Sequence, residues 1–191
     1  MTAALAGCAT STAKLSTTAV GAYRDTIDLS GSLAVSYQKH DGQPDRLNGR
    51  YTWTQRPGRV DVSMMSPLGQ TVAEISVTPE AATLTQANRP PRVAKDIDAL
   101  TRQELGWPLP VAGLRDWLQG YAIDAQGKRF AASPANNSVV TRDGWRLRFK
   151  EWQKAAAGTS ASPMPSVIVA ERSATADSGE LTISISVQPA T

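Results

Sequence analysis

The stretch Ile27-Asp28-Leu29-Ser30-Gly31-Ser32-Leu33-Ala34-Val35-Ser36-Tyr37-Gln38 decides the fold class. Ile27, Leu29, Leu33, Val35 and Tyr37 alternate with Asp28, Ser30, Ser32, Ser36 and Gln38. A period of two held this long describes a strand with one apolar and one polar face. The same pattern continues downstream. Asp41-Gly42 marks a turn, and Leu47, Tyr51 and Trp53 then alternate with Asn48, Arg50, Thr52 and Thr54. Beyond Pro57-Gly58, Val60, Val62 and Met64 alternate with Asp61 and Ser63. Ser66-Pro67-Leu68-Gly69 is a turn with proline at its second position. Ala73, Ile75 and Val77 share one face of a fourth strand, residues 82–86 suit a short fifth, and the segment around Arg92-Val93 suits a sixth.

The period then changes. Between Asp96 and Gly106, Ile97, Leu100 and Leu105 fall near helical spacing, with acids at the start and glycine at the end, as helix termini prefer. Trp107-Pro108-Leu109-Pro110 breaks that helix. A second short helix runs from Val111 to Leu118, with Leu114, Trp117 and Leu118 on one face and Gly120 closing it.

Strands resume afterwards. Trp145, Leu147 and Phe149 alternate with Arg146, Arg148 and Lys150, which leaves Trp152 on the polar face as a candidate rim or membrane-interface residue. Residues 155–165 are small and proline-containing, a loop expected to be mobile. Val167–Val169 and Leu181–Val187 supply the closing strands. The sum is an antiparallel meander with a helical pair inserted after about six strands. A sheet that is apolar on one face must cover that face. Two short helices cover only part of it, so a curled sheet with a helical lid, enclosing an apolar cavity, is the expected architecture.

Composition agrees with a single β-rich domain and excludes several chemistries. The chain has 191 residues, with 41% hydrophobic and 19% charged, which is enough for a core. A net charge of +3 is too small and too dispersed to argue for nucleic acid. One cysteine, Cys8, and one histidine, His40, exclude an intramolecular disulfide and a Cys/His zinc site. Gly-x-Ser-x-Gly and the P-loop are absent, no catalytic residue or cofactor is expected, and no run of about 18 apolar residues suits a spanning helix.

Leu5-Ala6-Gly7-Cys8 matches the pattern cut by the bacterial lipoprotein signal peptidase. Only Met1 to Gly7 precede the cysteine, without Lys or Arg, so either the sequence begins late within a signal peptide or the match is chance. Residues 9–20, rich in Ala, Ser and Thr, read as a flexible tether behind an anchor. The expected organisation is a signal-peptide remnant over 1–7, lipid attachment and tether over 8–22, and the folded domain over 23–191.

Five stretches carry a family resemblance: Ser30-Gly31-Ser32-Leu33-Ala34-Val35, Ser66-Pro67-Leu68-Gly69, Leu105-Gly106-Trp107-Pro108-Leu109-Pro110, Leu114-Arg115-Asp116-Trp117-Leu118-Gln119-Gly120, and Met164-Pro165 before a strand. In this order, from about Thr26 to Val187, the chain resembles the LolB branch of the LolA/LolB lipoprotein-localisation family. The resemblance implies a mainly β fold, an unclosed antiparallel barrel of about eleven strands with a helical lid. It implies a receptor that takes lipoproteins from the periplasmic carrier LolA and inserts them into the outer membrane, with Cys8 carrying the lipid on the periplasmic face. The partners are then the carrier, the acylated cargo and outer-membrane lipid, with no nucleic acid and the protein acting as a monomer. Pro67, Leu68 and Gly69 would form a protruding membrane-insertion loop. The acyl-chain cavity would be lined by Leu33, Val35, Trp53, Val62, Met64, Ile75, Leu100, Leu114, Trp117, Leu147, Phe149 and Ile183. Trp53 and Trp117 match tryptophans of the family, one on the sheet and one on the lid.

Energy constrains that role. A sixteen-carbon chain in water costs on the order of 10 kcal/mol at about 0.8 kcal/mol per methylene. Free release is ruled out, and transfer must pass from cavity to cavity and then to bilayer.

Other features have plainer readings. Arg146, Arg148 and Lys150 read as a solvated sheet face, with contact to headgroups or carrier as the alternative. His40 reads as a turn residue. Asp25, Asp28, Asp96 and Asp98 read as solvating a strand and starting a helix rather than as acid–base pairs. A different class of function also fits a strongly apolar sheet face: a lipid-anchored envelope scaffold that binds a protein partner there. A receptor needs a cavity with a mouth, whereas a scaffold needs a flat patch or a filled interior.

Overall fold

A computed structural model describes residues 15–38, 42–153, 162–175 and 179–189. Cys8, residues 9–14 of the expected tether, His40, Asp41 and much of the 155–165 loop lie outside the described residues.

The first six strands are β1 (Ile27–Gln38), β2 (Pro44–Arg56), β3 (Arg59–Met65), β4 (Thr71–Val77), β5 (Ala82–Gln86) and β6 (Arg92–Ala94). Helices α1 (Ile97–Leu105) and α2 (Val111–Trp117) follow, then β7 (Tyr121–Ile123), β8 (Arg129–Ala131) and β9 (Ser138–Val140). The chain ends with β10 (Arg146–Trp152), β11 (Pro165–Arg172), β12 (Leu181–Ser186) and β13 (Gln188–Pro189). One eleven-stranded antiparallel sheet runs β6-β5-β4-β3-β2-β1-β12-β11-β10-β9, with β13 pairing β1 off that path. Its end strands β6 and β9 do not pair, so the barrel is open. β7 and β8 form a separate hairpin.

Alternation puts the apolar residues in register across the sheet. Leu29, Trp53, Val62, Ile75 and Leu84 form one continuous row through β1–β5. Leu33, Ile185, Ile168 and Phe149 form another through β1, β12, β11 and β10. All nine are buried. Cross-strand apolar neighbours at this spacing are the unit of sheet stabilisation.

The two helices cover this face. Asp96 caps α1 by accepting from the Asp98 and Ala99 backbone N–H groups at 2.9 and 3.2 Å. Gly106, at φ 84°, ends α1 by donating to the Arg102 carbonyl. Ile97 and Leu100 point into the core. α2 has no side-chain cap and sends Val111, Leu114 and Trp117 inward.

Two findings differ from the sequence expectations. β7, β8, β9 and β13 are too short for a period to be seen. Residues 16–21, expected within the tether, are docked on the domain. The Ser16 carbonyl accepts from Ala135, Val20 N–H donates to Ala132, and the Gly21 carbonyl accepts from the Tyr121 hydroxyl at 2.6 Å. Val20 is buried among these contacts. A small-residue segment gains from docking because its backbone groups find partners on β7 and in the loop after β8.

Candidate functional site

The lid meets the sheet along an apolar seam. Leu109, Leu114 and Leu118 from the lid face Leu33, Tyr51, Trp53, Val62, Met64 and Ile185 from the sheet. Between them lies a void of about 20 Å³, walled by these nine side chains. That is room for about one water molecule, and an apolar void of this kind stays dry. Trp53 and Tyr51 sit in its wall through their rings while their polar atoms point away. Trp53 Nε1 donates to Gln55 Oε1 at 3.3 Å, and the Tyr51 hydroxyl donates to the Ser186 carbonyl at 2.8 Å. Burial pushes the Tyr51 phenol well above its usual range.

All twelve residues expected to line a cavity are buried. Five of them, Leu33, Trp53, Val62, Met64 and Leu114, wall the void. Val35, Ile75, Leu100, Trp117, Leu147, Phe149 and Ile183 are packed in the surrounding core and do not reach it. Sequence reasoning missed Tyr51, Leu109, Leu118 and Ile185 on the void. Alternation had already placed Tyr51 on the inner face, the closing strand had included Ile185, and the helical face had included Leu118. Leu109, between two prolines, carried no periodic signal.

Buried polar groups fix the seam. Thr101 is fully buried on α1; its hydroxyl donates to the Ile97 carbonyl at 3.0 Å and accepts from Leu109 N–H at 2.9 Å. This pins the Trp107–Pro110 linker to α1. Trp117 stacks edge-on against Trp145 with centroids 5.6 Å apart, tying α2 to the residue that leads into β10. Asp98 is less comfortable. One of its carboxylate oxygens is buried without a hydrogen-bond partner. Burial, then the nearby Asp96 charge, push its pKa up to about 6, against the pull of the Val111 backbone N–H and of Arg102 and Arg172.

At the β3–β4 hairpin the loop is held by its backbone. Gly69 N–H donates to the Ser66 carbonyl at 2.9 Å, and Ser66 N–H donates to the Gln70 carbonyl at 2.8 Å. Gly69 has φ 83°, which only glycine adopts without strain. With its neighbours engaged this way, Leu68 is left 89% exposed.

Several plain readings agree with the structure. Arg146 and Arg148 reach Glu171 from the solvated face, the latter at 2.6 Å. Asp28 pairs with Arg56 at 3.0 Å, and that guanidinium holds its carboxyl below the usual range. Trp152 is a correction. Register shifts between Phe149 and Trp152 break the alternation, and Trp152 turns partly inward, its ring 6.5 Å from that of Phe149. Among the described residues no group of three or more His, Cys, Asp or Glu side chains could hold a metal, and no helix is long and apolar enough to cross a membrane.

A family model described as outer membrane lipoprotein LolB matches residues 25–188, nearly the whole sheet and lid. The chain belongs to the LolB family. The outer-membrane lipoprotein LolB of Cupriavidus pinatubonensis is 35% identical over 144 residues, 74% of this chain and 69% of that protein. The LolB of Cupriavidus taiwanensis is 34% identical over 163 residues, covering 84% and 79%. That of Bordetella petrii is 34% identical over 152 residues, covering 78% and 74%. A solved LolA superfamily protein from Nitrosomonas europaea covers 85% of this chain and 84% of its own at 9% identity and a TM-score of 0.46. LolB membership assigns the protein to lipoprotein localisation at the outer membrane of a Gram-negative bacterium, as a lipid-anchored protein.

Proposed function

We propose that this LolB-family protein accepts acylated lipoproteins from the periplasmic carrier LolA, holds their acyl chains between lid and sheet, and inserts them into the outer membrane, with no catalysis involved. The observation that supports this reading most is the seam itself. An unclosed apolar sheet is covered by two short helices, and the packing gap lies between them and the sheet. Cys8 is the proposed lipid attachment site, and the Pro67-Leu68-Gly69 loop the element that enters the bilayer.

Size sets a condition. The void of about 20 Å³ admits about one water molecule, whereas a sixteen-carbon chain fills the space of roughly sixteen. The lid must therefore lift as the chain enters. Apolar side chains freed from the seam would then contact methylenes rather than water, so the exchange costs little hydrophobic energy.

The filled interior also suits the second reading, an envelope scaffold that binds a protein through its apolar face. One experiment separates them. The chain with Cys8→Ala is mixed with carrier loaded with a radiolabelled acylated lipoprotein and then re-isolated. The receptor reading expects label to move onto it; folded protein that takes no label overturns that reading and leaves the scaffold.

A further inference from the structure

The exposed tip of the β3–β4 hairpin does not stand alone. Arg50 on β2 is directly opposite Met65, the last residue of β3, and Met65 is opposite Thr71 on β4. At the next pair Met64 faces Ala73, so Val72 is an extra, unpaired residue, 41% exposed. Alternation puts Met65 on the outer face three residues before Leu68, and the exposed Val72 follows Leu68 by four. β2 begins at Pro44, six residues before its pairing with β3 starts at Arg50, so it overhangs β3 beside the tip. Alternation puts Arg46 and Arg50 together on the outer face of that overhang, both exposed. Among the described residues neither guanidinium has an acidic partner. Arg56, Arg59, Arg146 and Arg148 on other outward positions are all paired with carboxylates. The nearest acid on β4 is Glu74, opposite Ser63 and farther from the tip than Arg50.

We propose that this end of the sheet is a docking surface for a bilayer containing anionic phospholipid. Leu68, with Met65 and Val72 behind it, enters the acyl region, while Arg50 and Arg46 take lipid phosphates at headgroup level. Charge complementarity selects the occupant. An apolar point beside two guanidiniums that make no ion pair among the described residues, although the Asp45 carboxylate next to Arg46 accepts that residue's backbone N–H, matches the layering of a bilayer, with hydrocarbon beneath phosphate. The proposal rests on the reading of Leu68 as the membrane-entering element and adds a lipid preference to it.

The test is partitioning of the full chain with Cys8→Ala, so that no acyl anchor contributes, onto phosphatidylcholine vesicles with and without phosphatidylglycerol. Anionic vesicles should bind it more tightly, and added salt should remove the difference. Arg46→Gln with Arg50→Gln should weaken binding to anionic vesicles about thirtyfold, at roughly fivefold for each basic residue near the surface, and leave binding to neutral ones unchanged. Arg146→Gln with Arg148→Gln should have no effect. An unchanged affinity in the Arg46/Arg50 variant overturns the proposal, as does a loss that appears only in transfer from the carrier. Leu68→Glu separates the two levels: if it abolishes binding to both vesicle types while the arginine variant binds normally, the tip reading stands and the lipid preference fails. If Leu68→Glu is also silent, both fail.

Discussion

Gln119 and Arg24 are joined by a reciprocal pair of hydrogen bonds: the Gln119 side-chain amide donates to the Arg24 carbonyl at 3.0 Å, and Arg24 N–H donates to Gln119 Oε1 at 2.9 Å. Gln55 approaches the same carbonyl from the sheet at 3.3 Å and also donates to the Tyr23 hydroxyl at 2.9 Å. Arg129 lies over both Tyr23 and Tyr121. The segment entering the domain is thus clamped to the exit of the lid helix and to the floor of the sheet.

Gln119→Ala removes both halves of the pair and leaves the part-buried Arg24 N–H without its partner, while the Arg24 carbonyl keeps only the longer bond from Gln55. We expect a loss of about 1–3 kcal/mol in urea unfolding, with faster amide exchange at Arg24 and Val20 ahead of the sheet. Unchanged exchange at those two amides would show that Gln55 and the loop after β8 hold the segment without Gln119.

Gly113 lies on α2 against the Trp117 ring, and a Cβ there would fall within the ring's own space. Alanine is the better helix former by about 1 kcal/mol, so propensity alone says Gly113→Ala stabilises. Displacing a buried tryptophan that stacks on Trp145 costs typically 1–3 kcal/mol. We expect net destabilisation and altered tryptophan fluorescence. A variant more stable than the parent would mean that the lid repacks freely around Trp117.

Asp98 makes stability depend on pH. Its folded-state pKa of about 6 lies above the ordinary 3.8, so the folded state binds more protons between those values and stability falls as pH rises through that window. The burial penalty is absent at low pH and fully present above about pH 6. Asp98→Asn keeps an acceptor for the Val111 N–H without the charge. It should stabilise by on the order of 2 kcal/mol at neutral pH, shrinking to a few tenths near pH 4. A gain of equal size at both pH values would assign the effect to packing rather than ionisation.

Leu68→Glu should change unfolding free energy by less than about 0.5 kcal/mol, because the side chain is exposed and its turn is held by backbone bonds. Acceptance of cargo from the carrier should persist while delivery to liposomes stops. Loss of acceptance instead would place Leu68 in the path by which acyl chains enter.

Much of this protein was legible in the chain itself. Period-two alternation from Ile27 onward determined the longer strands and their inner faces, because a strand has two faces and the core accepts only one; the pairing of β1 with β12 was not in it. Asp96 and Gly106 marked the ends of α1 through backbone chemistry that is local. Ser66-Pro67-Leu68-Gly69 marked the loop on which Leu68 stands exposed. Tertiary structure alone decided which inner-face residues wall the void, since Leu33 and Val35 have the same alternation and only the first reaches it. It alone turned Trp152 inward, through a register shift that no period reveals. It also decided that the segment through Val20 is docked rather than free, because its partners, Ala132, Tyr121 and Gln119, lie about a hundred residues away. Local periodicity reports what a side chain needs, but which long-range neighbour meets that need is settled only when the sheet and lid close on each other.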